Sequence, residues 1–179
     1  MSSIPGVTRQ RVKAGLLDLA CMLGWIAIVV AIGELLRQAG IVGPLSPLGF
    51  TVVGALTVVV PITVALGVLE GGKYEASVGK QRFGLRVRRI EGPQLGITRA
   101  LVRNAVKVAV PCLFTQVAGV SLATTPGPVG ADLMVLIGVS LLVPAVYLVS
   151  LFVGDRRPPY DLVASSTVVE VAAARRSLG

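Results

Sequence analysis

The feature that most constrains this chain is a set of apolar runs too long for a soluble fold of its size. One extends from about Ala14 to Leu36, interrupted only by Asp18 and Glu34, and another, Leu48 to Leu69, carries no charge. A third covers Val108 to Ala123, and a fourth, Leu133 to Gly154, is again charge-free. A helix rising 1.5 Å per residue needs about 20 residues to cross the hydrocarbon of a bilayer. The second and fourth runs meet that length, and the third meets it if its helix starts further back, in the amphipathic stretch near Thr98. The first run is too long for a secretory signal and reads as an anchor. With 54% hydrophobic and 15% charged residues in 179, a globule could not hide the apolar surface.

The charges supply the orientation. Arg9, Arg11 and Lys13 precede the first run, nine Lys and Arg residues lie between Lys73 and Lys107, and Arg156, Arg157, Arg175 and Arg176 follow the last. Only Arg37 falls on the other side. The opposite connections, Gly43 to Pro47 and Thr125 to Gly130, are short, Gly- and Pro-rich turns. Because cytoplasmic segments collect positive charge, the expectation is an all-α four-transmembrane-helix bundle, N-in and C-in. It forms a single membrane domain over 1–179 with spans near 14–36, 48–69, 105–123 and 133–154. A cytoplasmic loop then occupies 70–104 and a cytoplasmic tail 155–179. The net charge of +8 follows from topology, and nucleic acid is not an expected partner. There is no histidine, which removes histidine base catalysis and most zinc sites. Cys21 and Cys112 sit inside apolar runs and read as small buried hydrophobes. No catalytic residue, metal site or cofactor is expected.

Several residues on the basic side invite a physical reading. Arg11 and Asp18 are two helical turns apart and share a face, with Ala14 and Gly15 between them leaving a shallow groove. A carboxylate just inside the membrane boundary is costly unless paired, so another segment is expected to enter that groove. The stretch from Asp155 to Asp161 is the best candidate, offering Arg156 and Arg157 to Asp18 and Asp161 to Arg11. On the other face of the first helix, Ala20, Gly24, Ala27 and Ala31 form a small-residue stripe suited to helix–helix contact. Gly67 and Gly71 repeat that theme, and Pro61 and Pro144 should kink their spans. Phe83 to Ile90 alternates like a strand, with a turn at Glu91 to Gln94 and a possible β-hairpin partner in Leu95 to Thr98. Arg99, Arg103 and Lys107 recur every four residues, a basic amphipathic helix expected to meet anionic lipid headgroups at the bilayer surface. The Gly-Lys sequence at Gly79 lacks the full spacing of a phosphate-binding loop.

Taken in order, Arg11 and Asp18, then Glu70, Ser77-Val78-Gly79-Lys80, Gly84 to Val87, Arg103-Asn104 and Asp161 to Thr167 resemble the RDD family of bacterial membrane proteins. The family's arginine and two aspartates match Arg11, Asp18 and Asp161. Tyr160 stands where the family usually has histidine, and its Asp-x-x-Ala-Gly-Thr ending reads here as Asp161 to Thr167, one residue longer. The resemblance implies a multi-pass protein of the bacterial cytoplasmic membrane, without a shared mechanism. Two functions are compatible with it. One is a non-enzymatic accessory or scaffold subunit of a larger membrane complex or homo-oligomer. The other is a small transporter or ion exchanger, whose mid-span polar groups would be few: Thr57, Thr63, Thr115, Gln116, Ser140 and Tyr147.

Overall fold

The computed structural model describes residues 5–90, 92, 94–153 and 157–170. Four of its helices are long and apolar enough to cross a membrane. Helix α1 is Pro5–Gln38, and at 34 residues it exceeds a bilayer's hydrocarbon by about 20 Å. That surplus carries Arg11 beyond the apolar run. After the Gly- and Pro-rich turn, Ser46 caps helix α2 (Pro47–Gly71), its hydroxyl accepting the Gly49 N–H at 3.1 Å. Helix α4 (Ile97–Thr124) is continuous, so the amphipathic stretch belongs to the third spanning helix and the expected loop ends earlier than residue 104. Helix α5, Ala131–Val149, stops five residues before the expected end of the fourth span, where Ser150 to Phe152 turn back on the helix.

Prolines shape α2 and α4 in the same way. Ala55–Val59 and Ala105–Ala109 each form a π-turn, and each is followed by Val-Pro, at Pro61 and Pro111. A proline has no N–H and its ring crowds the carbonyl four residues back; the wider turn relieves that clash. The freed carbonyls are used. Trp25 Nε1 donates to Thr57 O at 3.0 Å, tying α1 to α2. Tyr147 Oη donates to Val106 O at 2.8 Å, tying α5 to α4. Helices α2 and α4 approach closely at Gly67 and Gly71, where an added Cβ would lie 2.5 Å from Leu101 Cδ2 and 2.5 Å from Ile97 Cα respectively.

Each pair of spanning helices is followed by the same small unit. After α2 comes helix α3 (Val78–Arg82), then Gly84 at φ +65° and strand β1 (Leu85–Arg89). After α5 comes helix α6 (Pro159–Val163), then Ser165 at φ +49° and strand β2 (Ser166–Glu170). The strands pair antiparallel, with Val87 opposite Val168 at their centre. The hairpin expected between 83–90 and 95–98 is therefore corrected: β1 takes its partner from the C-terminal segment. Leu95 instead packs into a cluster with Leu85, Val87, Ala100, Val168 and Ala14, and Ile97 already begins α4, which leaves no room for a strand. This cluster and a second one, Ile62, Leu66 and Val108 with Met22 and Ile26, hold the bundle together at one end.

Candidate functional site

That end of the bundle carries a buried chain of polar contacts. Glu70, the penultimate residue of α2, is fully buried. It is paired with Lys80 of α3 through Oε1 and with Arg103 of α4 through Oε2. Asn104 Nδ2 donates to the same Oε2 at 2.9 Å and to Ala100 O at 2.9 Å. Arg103 is 1% exposed and turns its other edge to Asp161 of α6, donating from Nε at 2.7 Å and approaching with Nη2 at 2.6 Å. Asp161 Oδ2 in turn accepts from Arg11 Nη2 at 2.9 Å. From the other side, Lys80 Nζ donates to Ser77 Oγ at 3.3 Å, and Ser77 Oγ donates to Asp18 Oδ2 at 2.6 Å. The order Arg11, Asp161, Arg103, Glu70, Lys80, Asp18 alternates in sign and sums to zero. It begins and ends on α1, and it joins α1, α2, α3, α4 and α6.

The local structure explains how each member is placed. Gly79 presses onto α1: a Cβ there would lie 2.1 Å from Ala14 O, so α3 can dock only with glycine facing alanine. Docking points the Gly79 N–H at Asp18 Oδ1, 2.7 Å away. Asp18 thus closes the first turn of α3 from another helix, in the manner of a capping carboxylate. Burial lowers the Lys80 ammonium to about 8, against the opposing pull of Glu70. Tyr160 lies under the cations, its ring centroid 5.0 Å from Arg103 Cζ and 5.9 Å from Lys107 Nζ, with Tyr147 edge-on at 5.3 Å. Burial, then the neighbouring Asp161, raises its hydroxyl to about 12. An aromatic face under two cations is attractive.

The expected constellation is met in part. Arg11 and Asp161 meet, and Ala14 does leave room for another segment. That segment, however, is α3 rather than the stretch before Asp161. Asp18 is bound by Ser77 and the Gly79 N–H and not by Arg157, whose Nε is buried without a hydrogen-bond partner among the described residues. Arg156 lies outside the described residues. The lipid-facing role expected for Arg103 is corrected, since burial between Glu70 and Asp161 removes it from any headgroup; Arg99 is exposed and Lys107 half-buried. Thr167 follows the residue that contacts Asp161. Ser165 holds the left-handed conformation that suits glycine, and it is Ser166 Oγ that donates to Asp161 Oδ1 at 3.0 Å.

Glu70, Lys80 and Asn104 were legible only as matches to a family pattern, and Arg103 as that and as part of a basic stripe. A buried Glu at the end of an otherwise charge-free span was the physical signal that they needed a common partner. Glu75, at φ +52° and 4% exposed, was not anticipated at all; it lies 3.4 Å from Arg86 and Arg88 on β1. Among the described residues no cluster of three or more carboxylate or cysteine ligands is arranged to hold a metal ion.

No curated protein and no solved structure shows significant similarity to the chain. A sequence model of the RDD family matches residues 5–165, from the first turn of α1 to the left-handed Ser165. The match spans every member of the charge chain, and this multi-pass membrane protein belongs to the RDD family.

Proposed function

We propose that the protein is a non-enzymatic scaffold of the bacterial cytoplasmic membrane, an accessory subunit around which a larger membrane complex or a homo-oligomer is built. Both termini and the α3–β1 segment face the cytoplasm in this reading. The carrying observation is that Arg11, Asp161, Arg103, Glu70 and Lys80 pair with one another while Asp18 is held by Ser77 and the Gly79 N–H, so the six charges are committed to fastening segments. A charge-neutral network of this kind is suited to holding a shape. The small-residue stripe Ala20, Gly24, Ala27 and Ala31 supports the same reading: all four are exposed, and a Cβ on Gly24 would meet nothing within 4 Å. Such a stripe lets a second helix approach closely in lipid, and the described residues leave it uncovered.

One observation favours transport instead. The two π-turns interrupt α2 and α4 inside the bundle, and Thr63 Oγ1 is buried without a hydrogen-bond partner among the described residues. Interrupted helices and unsatisfied mid-span oxygens are common at ion paths. Purification from native membrane in mild detergent separates the readings. A stoichiometric larger partner supports the accessory role, whereas a homo-oligomer giving proton- or sodium-dependent flux in liposomes supports transport. Orientation is tested with single cysteines after Cys21 and Cys112 are replaced. External labelling should reach positions 46 and 125 and not the exposed position 73; labelling at 73 in intact cells would overturn the topology.

A further inference from the structure

A groove of about 330 Å³ runs between α1 and α2 and is open along one side. Its walls are apolar: Met22 and Trp25 from α1, Ile62, Ala65 and Leu69 from α2, and Val78 of α3 at the top. Trp25 is held in place by its hydrogen bond to Thr57 O. Asp18 borders the upper end, with both carboxylate oxygens already engaged by Ser77 and Gly79. From Asp18 to Trp25 the groove covers two turns of α1, about 10 Å.

The groove is short, open on one side and lined by apolar side chains, a shape that accepts a single hydrocarbon chain. An apolar groove facing hydrocarbon also gains dispersion contacts only when it is filled. Charge decides what the chain is attached to. Val78, Gln81 and Arg82 share the exposed face of α3. Arg82 lies one turn beyond Val78, and it has no ion-pair partner among the described residues. Val78 lines the groove, so the exposed Arg82 sits one helical turn from its end on the same face of α3, and a guanidinium matches a phosphate in charge and geometry.

We propose that this groove is a phospholipid site: one acyl chain lies between α1 and α2, against Trp25, and the anionic phosphate meets Arg82. The site is separate from the exposed Arg99 and half-buried Lys107 of α4. The test uses the full-length protein in liposomes containing phosphatidylglycerol with a diazirine in its acyl chain, followed by peptide mapping after photolysis. Label should concentrate on α1 and α2 around Met22 and Ala65. Ala65→Phe, which places a ring in the groove, should remove that label. Arg82→Gln, on the exposed face of α3, should lower it about fivefold, the equivalent of roughly 1 kcal/mol for one basic group at an anionic surface. A phosphatidylcholine probe should be less sensitive to Arg82→Gln. Label spread evenly over α1, α2 and the exposed Leu141 and Leu142 of α5 would overturn the site, as would groove label that survives Ala65→Phe in a protein of unchanged unfolding midpoint. Groove label indifferent to Arg82→Gln would overturn the phosphate assignment.

Discussion

The two ends of the bundle carry arginine–carboxylate pairs of nearly equal length and very different consequence. At one end Arg37 meets Glu34 at 2.7 Å, with side chains 62% and 46% exposed and three residues apart on the same helix. At the other, Arg11 meets Asp161 at 2.9 Å across 150 residues of chain, with Asp161 fully buried. Distance alone would rank the exposed pair first. Burial and chain separation reverse the order, because water screens the first pair and the helix already holds its partners together. Removing one member of the buried chain strands its neighbours in a place water does not reach. The contrast locates stability at the end where α3, α6 and the strands gather.

The comparison is sharpened most by Arg103, which serves Glu70 and Asp161 at once. Arg103→Ala leaves two buried carboxylates facing each other without a cation between them. Unpairing a buried charge is worth about 3–5 kcal/mol, and the unfolding midpoint in detergent should fall accordingly. A loss no larger than that of an exposed-residue control would break the account. A smaller effect is expected from pH. Lys80 has its ammonium lowered to about 8 in the folded protein, against 10.5 ordinarily. Between those values the unfolded chain still holds the proton that the folded chain has released, so Lys80's contribution to stability rises with pH. The unfolding midpoint of the wild type, relative to Lys80→Met, should therefore increase from about pH 8 to 10.5; a flat difference contradicts the burial argument. The smallest effect belongs to the far end, where Glu34→Gln should leave the unfolding midpoint unchanged within error.

Much of the fold was legible because membrane solvation is unforgiving: long charge-free runs and turns at Gly43 to Pro47 and Thr125 to Gly130 admit few readings. The site was legible in pieces. Arg11 and Asp18 advertised their shared helical face, and the small Ala14 between them announced a docking segment. Which segment docks was hidden, because Gly79 reads as a loop glycine until its contact with Ala14 O is seen. The pairing of β1 with β2 was hidden for a different reason. The repeated unit of short helix, left-handed residue and strand preserves backbone geometry and almost nothing else: Gly84 corresponds to Ser165, and Lys80 to Asp161. Periodicity finds neighbours in sequence, so it favoured 95–98 over a strand far along the chain. Arg103 was misassigned for a similar reason. Its four-residue spacing from Arg99 and Lys107 suggested a solvated stripe, and nothing local announced that Glu70 and Asp161 would converge on the middle member.

The central claim, that the buried charges fasten the first helix to the C-terminal segment, is tested most directly by a double-mutant cycle on Arg11 and Asp161. Arg11→Ala, Asp161→Ala and the double variant are unfolded in the same detergent and their midpoints compared with the wild type. The account predicts strong coupling: the double variant should lose much less stability than the two single losses combined, because each single change strands the same partner. Additivity within about 0.5 kcal/mol would contradict it and show that these two residues do not hold the ends of the chain together.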